Sequence, residues 1–367
     1  MTHIVVLGAG YSGQAAANLA ARRLAAEVTL INDRDRFVER VRLHQFAAGQ
    51  DLRERPLADL LRGSGARLVV DRVAAINTSA NAVVLESGGS VHYDTLIYAL
   101  GSRADLASVP GVAEHAFTVT GAEQAARLRE RLAGGGTVTV VGGGLTGIEA
   151  ATEFAESYPD LKVRLLTADV LGERLSERGR RHLRRTFARL GIEIHDSAAV
   201  TEVRPDGVLL AGGEHVPSDF VVWTTGFAVP DLAREAGLSV DEHGRMVVDE
   251  SMRSVSHPDI YGVGDAAAVH HAGQELRMAC ATSLPIAQTA VRAIRARAAG
   301  HEPRPMRFRY VNQCISLGRR DGLIQFVHAD DSPRETVLTG RLAALYKELV
   351  VRGALQIQRY PGLPASF

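Results

Sequence analysis

Two sets of three glycines carry the first chemical signal in this 367-residue chain: Gly8, Gly10 and Gly13, then Gly142, Gly144 and Gly147. Each set is spaced G-x-G-x-x-G. The first glycine of such a set permits a tight turn, the second lets the backbone approach a pyrophosphate, and the third lets a helix lie close on a strand. The free N–H groups and positive end of that helix then face the phosphates. A third signal is Tyr261-Gly262-Val263-Gly264-Asp265, an apolar strand ending on a carboxylate that can accept hydrogen bonds from a ribityl hydroxyl. Nicotinamide dinucleotides have no ribityl chain, so Asp265 separates a flavin pocket from a nicotinamide pocket.

The surrounding sequence supplies the elements these loops require. Ile4 to Gly8 is apolar, Gln14 to Leu24 is alanine-rich and helical in pattern, and Val28 to Ile31 reads as a second strand. Strand, glycine loop, helix and strand within about 30 residues is the context that gives the motif its specificity. The order recurs with Thr137 to Val141, Ile148 to Glu156 and Val163 to Leu166. It extends to two junctions, Tyr98-Ala99-Leu100-Gly101 and Trp223-Thr224-Thr225-Gly226, each preceded by a small β-rich insertion. The fold class is therefore α/β, with two Rossmann-like dinucleotide-binding domains and a small C-terminal α+β segment. Asp265 lies beyond the second repeat, so the first domain is discontinuous: 1–108 and 241–305 enclose a second domain at 109–240. Residues 306–367 are assigned to interface or dimer contacts.

In that last segment Val311 to Gly318 and Gly322 to Val327 alternate as a hairpin, and a helix from Arg341 places Leu342, Leu345, Tyr346, Leu349 and Val350 on one face. That face is expected to pack on its own domain or on a second copy in a homodimer, with membrane attachment the lesser alternative. A further helix is expected to start at Pro285, with proline in its first turn, and to run to about Ala298.

Composition narrows the rest. Forty-two Lys+Arg balance 42 Asp+Glu, so no global field recruits nucleic acid. The only lysines are Lys162 and Lys347, an imbalance read as genome composition and given no functional weight. Cys280 and Cys314 sit far apart, which gives no C-x-x-C and no zinc framework. His270 and His271 are adjacent, so they point differently in any regular element and make a poor metal pair. The N-terminus lacks signal-peptide features and no apolar run reaches about 18 residues. A cytoplasmic protein is expected, with peripheral membrane attachment left open.

Taken together, the paired glycine motifs, the two Gly101 and Gly226 junctions and the Tyr261–Asp265 strand resemble the two-dinucleotide-binding-domain flavoproteins. Among these the chain is most similar to type II NADH dehydrogenases and apoptosis-inducing-factor-like oxidoreductases. The resemblance implies FAD on Gly8, Gly10, Gly13 and Asp265, and NADH or NADPH on Gly142, Gly144 and Gly147. Where the family ends the second FAD-domain strand on an acid for the adenosine ribose, this chain has Asn32 followed by Asp33. The matching place in the second domain is Thr167, which leaves the nicotinamide dinucleotide open, with Arg174 a weak partner for a 2′-phosphate.

Catalytic expectations follow from the same resemblance. Glu149 matches an acid that relatives place near the nicotinamide, though at a helix start it also complements the dipole. Disulfide reductases carry a cysteine pair where this chain reads Arg40 to Phe46, so electrons pass directly to an acceptor, with His44 and Gln45 lining its site or simply packing. Gln288 matches an Ala-Gln segment of type II enzymes, in which a further glutamine four residues on helps line the quinone site; here Arg292 stands at that second place. The implied activity is FAD-dependent transfer from NAD(P)H to a small quinone-like acceptor. A reductase for an electron-carrier protein and a redox-sensing binding protein are the alternatives.

Overall fold

The computed structural model describes residues 2–362. Its first half runs β1 (Thr2–Leu7), α1 (Tyr11–Arg23), β2 (Ala26–Asn32), α2 (Leu43–Ala47), β3 (Arg67–Val70) and β4 (Thr95–Tyr98). A second set follows as β5 (Ala116–Thr118), β6 (Gly136–Val141), α3 (Leu145–Ser157), β7 (Leu161–Leu166), α4 (Glu177–Arg189), β8 (Glu193–His195) and β9 (Phe220–Trp223). The chain then returns with β10 (Ile260–Gly262) and α5 (Cys280–Ala298). It ends with β11 (Asn312–Ser316), β12 (Gly322–Val327), β13 (Pro333–Thr339) and α6 (Arg341–Arg359).

Two five-stranded parallel sheets result, ordered β10-β4-β1-β2-β3 and β8-β7-β6-β9-β5. Strand β10 pairs with β4 from far along the chain, so the strand that ends near Asp265 completes the first sheet. Residues in β1 are apolar at successive positions because both faces are covered. Ile4 and Val6 pack with α1 and α5, while Val5 and Leu7 meet Val83 and Leu85 of the antiparallel insertion. The second sheet does the same: Val138 and Val140 face Phe154 and Phe187, and Trp223 lies under Val203, Val208 and Val216 of the second insertion.

Three expectations change. The C-terminal hairpin is present, and a third strand, β13, extends it. Helix α5 starts at Cys280 rather than at Pro285, which lies inside it. The turn ahead of the proline is held by side chains instead, since Thr282 and Ser283 hydroxyls both donate to the Ala279 carbonyl, at 2.8 and 3.3 Å. Helix α6 reaches Arg359, and its inward face is Ala343, Lys347, Val351 and Gln358. Leu342, Leu345 and Leu349 are 67%, 57% and 59% exposed, so the leucine stripe is not the face that packs on this chain. Among the described residues no helix is long and apolar enough to cross a membrane.

The C-terminal sheet is tied to α4 through Asp321 in the β11–β12 turn. Its carboxylate accepts from His182 Nε2 at 2.9 Å, Thr186 Oγ1 at 3.0 Å, Arg189 Nη2 at 2.9 Å and the Gly322 amide at 2.8 Å. Burial opposes its charge, but these donors outweigh burial and hold its pKa at about 2. A folded pKa below the unfolded one means stabilisation present above pH 4 and lost as pH falls toward 2. Urea unfolding should therefore show Asp321→Asn less stable by about 1 kcal/mol at pH 7, allowing for solvent screening, with the gap closing on acidification.

Candidate functional site

Both glycine loops have the shape a dinucleotide phosphate requires. A Cβ on Gly13 would lie 1.9 Å from the Gly8 carbonyl oxygen, and one on Gly147 would lie 1.9 Å from that of Gly142. Gly8 and Gly142 sit at φ +92° and +119°. Space beside Gly10 and Gly144 is open, which leaves room for phosphate against the backbone. The Asp265 turn closes on the first loop, because Gly264 comes within 2.8 Å of Ser12 Oγ when given a Cβ. Asp265 accepts from Ser102 Oγ at 2.7 Å, just past the Gly101 turn at φ +66°, and Arg40 donates to the Ser102 carbonyl at 2.7 Å. Gly10, Ser102, Arg40 and Asp265 thus line one cradle whose donors and carboxylate fit the pyrophosphate and ribityl chain of FAD.

The residues expected at the riboses are placed differently from one another. Asn32 Oδ1 accepts from the Ala9 amide at 2.9 Å and its Nδ2 donates to the Arg34 carbonyl at 2.8 Å, so Asn32 braces the glycine loop. Asp33 keeps its carboxylate at the surface, held by Arg34 at 2.9 and 3.0 Å. Thr167 is buried beneath the second loop, where a Cβ on Gly143 would lie 2.4 Å from its hydroxyl. Gly226, at φ +73°, turns the chain into Phe227–Ala228, which pairs with Arg103–Ala104 and joins the two domains.

At the junction of the domains lies a buried ion pair. Glu149 on α3 and Lys347 on α6 meet at 2.9 Å, and Glu149 Oε1 also accepts from the Ser316 amide at 2.9 Å. Lys347 Nζ donates in addition to the Cys314 carbonyl at 2.9 Å. Burial opposes both charges, yet the pairing prevails: the Glu149 carboxyl is held below its ordinary range and the Lys347 ammonium above its own. The next residue, Glu348, takes Arg42 bidentately at 2.9 and 3.0 Å, and Arg42 also pairs with Glu39 at 3.2 Å. Adjacent residues of α6 therefore grip the second domain and the first.

His44 belongs to the same cluster. It is 4% exposed, its Nε2 has no hydrogen-bond partner, and burial lowers its pKa to about 4 even though Glu149 is near. It is thus a neutral imidazole. Gln45, Ser316, Arg319, Arg320, Arg341, Leu345, Lys347 and Val351 line a cleft of about 330 Å³ beside it. Burial raises the Cys314 thiol to about 11, so it stays protonated at neutral pH.

Gln288 is placed elsewhere. Its Nε2 donates to the Pro361 carbonyl at 2.9 Å, and it lines a separate depression with Leu19, Arg23 and Arg292. His270 and His271 form a small ribbon with Gln274 and Glu275. Sequence reasoning missed Lys347, Glu348 and Arg42. The scarcity of lysine was the one available signal: of the two lysines among many arginines, Lys162 is exposed and Lys347 is the one turned inward, where a compact point charge differs from a guanidinium.

The comparisons agree with this geometry. Residues 2–293 match the family model described as pyridine nucleotide-disulphide oxidoreductase. An NADH dehydrogenase-like protein of Mycobacterium tuberculosis is 32% identical over 316 residues, covering 79% of each chain. A type II NADH:quinone oxidoreductase of Staphylococcus epidermidis is 26% identical, covering 95% of this chain and 93% of that one. The solved structure of NDH2 from Plasmodium falciparum in complex with NADH superposes with a TM-score of 0.80 at 14% identity, over 98% of this chain and 96% of that one. The chain therefore belongs to the pyridine nucleotide-disulphide oxidoreductase family and is an oxidoreductase that uses FAD with NADH or NADPH.

Proposed function

We propose that this protein passes electron pairs from NADH or NADPH to a small quinone-like acceptor, without a redox disulfide. The observation that carries the reading is the cleft floored by Lys347, which is backed by Glu149 and flanked by Leu345 and Val351. Its volume, about 330 Å³, suits one flat ring system, and Ala344, Leu345 and Val351 beside the fixed Lys347 ammonium suit a carbonyl-bearing ring. FAD, when bound, supplies a centre that accepts two electrons and releases them. The chain's own residues do the positioning: Gly10 and Gly144 admit phosphates, Asp265 and Ser102 hold the ribityl side, and Lys347 presents N–H groups to an oxygen that gains charge. The stretch from Arg40 to Phe46 brings Arg42 and His44 to this place and carries no thiol of its own; the thiols near Lys347 are Cys280 and Cys314, both pushed toward the protonated form by burial. Type II quinone oxidoreductase relatives support the same acceptor.

One observation favours a second reading. Arg320 and Arg341 at the cleft rim are exposed, and Arg319 stands beside them, a cationic edge suited to an acidic electron-carrier protein. Anaerobic mixing with NADH and with NADPH, followed by soluble quinones and by an acidic carrier, separates the readings. Rapid bleaching and quinone turnover are expected; a yellow protein that neither nucleotide bleaches would sink both.

Substitutions distinguish loop from cleft. Gly13→Ala should prevent folding, whereas Gly10→Val should leave the circular dichroism unchanged and abolish the visible flavin absorbance. Lys347→Met strands the Glu149 charge and should lower stability by about 3–5 kcal/mol. Adding Glu149→Gln should restore most of that loss in urea unfolding, yet quinone turnover should stay low.

A further inference from the structure

Three carboxylates lie on successive turns of α3, at Glu149, Glu153 and Glu156, and each faces the β11–β12 hairpin. Glu149 has Lys347 and the Ser316 amide. Glu156 takes the Arg319 amide. Glu153, between them, has no exposed surface and no such compensation. One oxygen accepts from Gln50 Nε2, with the Arg319 guanidinium 3.9 Å away, and the other, Oε2, has no partner. His44 on α2, packed against α3, holds a second buried atom without a partner, Nε2, and shares Glu149 and Arg319 as its charged neighbours. Two such atoms on packed elements are places for ordered water and mobile protons. Arg319 is 43% exposed at the cleft rim, so the far end of this arrangement reaches solvent.

Quinone reduction creates a demand at that spot. A quinone takes up two electrons and two protons in becoming a quinol, whereas NADH supplies a hydride, which is two electrons and one proton. One proton per turnover must come from water.

We propose that Glu153 holds this proton and passes it from solvent at Arg319 to the Glu149–Lys347 pair, replacing the one that Lys347 gives to the reduced acceptor. The inference rests on the quinone reading above. Burial, which outweighs Arg319 and Gln50 and is reinforced by Glu156 and Glu149, pushes the Glu153 carboxyl up to about 7, so it can load and unload near neutrality. Its role is positional and protonic; the acceptor touches Lys347.

Glu153→Gln preserves shape and removes the exchangeable proton. Wild-type quinone kcat should decline above about pH 7; in Glu153→Gln it should fall on the order of 10²-fold and lose that decline. Ferricyanide takes electrons without protons, so its reduction by the same variant should be unchanged, which a merely structural defect would not allow. Gln50→Met removes a hydrogen bond that favours the carboxylate, so it should move the wild-type decline to higher pH. Infrared difference spectra between pH 5 and 8 should show a protonated carboxyl band that disappears in Glu153→Gln. Equal quinone and ferricyanide losses, an unchanged pH profile, or no such band would each overturn the relay. Wild type that reduces ferricyanide but no quinone would instead overturn the quinone reading and remove the demand for a relay.

Discussion

The contact between Lys347 and Glu149 decides how the last helix sits and, through it, how the two domains meet. A buried ammonium facing a buried carboxylate gains little net stability over an apolar pair, because desolvation offsets most of the attraction. What it gives is a fixed position. Helix α6 has apolar side chains on more than one face, and an apolar face alone would leave its rotation open. With Lys347 drawn inward, Ala343 and Val351 follow it one turn away on either side, and Leu342, Leu345 and Leu349 are turned out. Glu348 is then aimed at Arg42. A single rotation thus satisfies one contact with each domain.

That constraint explains where the sequence was readable and where it was not. The glycine loops were legible because their requirement is local: Gly13 can have no Cβ when the Gly8 carbonyl lies against it, whatever the rest of the chain does. The discontinuous first sheet was legible for a related reason, since Asp265 has meaning only beside a flavin loop and its strand had to come back to it. Asn32 was readable as a polar residue at the right strand end, but not as a brace for Ala9, because an amide that turns toward its own loop and one that turns outward look alike in sequence.

The Lys347–Glu149 cleft was far less legible. Lys347 lies almost two hundred residues from Glu149, and only the packing of α6 brings them together. The leucine stripe was legible as an apolar face but not as one left uncovered by this chain. Helical periodicity reports that a face is apolar, not which face the chain buries, and here a charged residue on another face settled the choice. Proline at 285 misled locally: it is well suited to a first turn, but hydroxyls at Thr282 and Ser283 sustain a turn ahead of it.

Because α6 begins only at Arg341, every loop glycine, Asp265 and Glu149 leave the ribosome before the lysine that completes the cleft. The glycine loops and the Lys347 cleft are therefore separated in time during synthesis. A nascent chain can shape both glycine loops while the carboxylate at position 149 still awaits its counter-ion, so the cleft is completed after the loops.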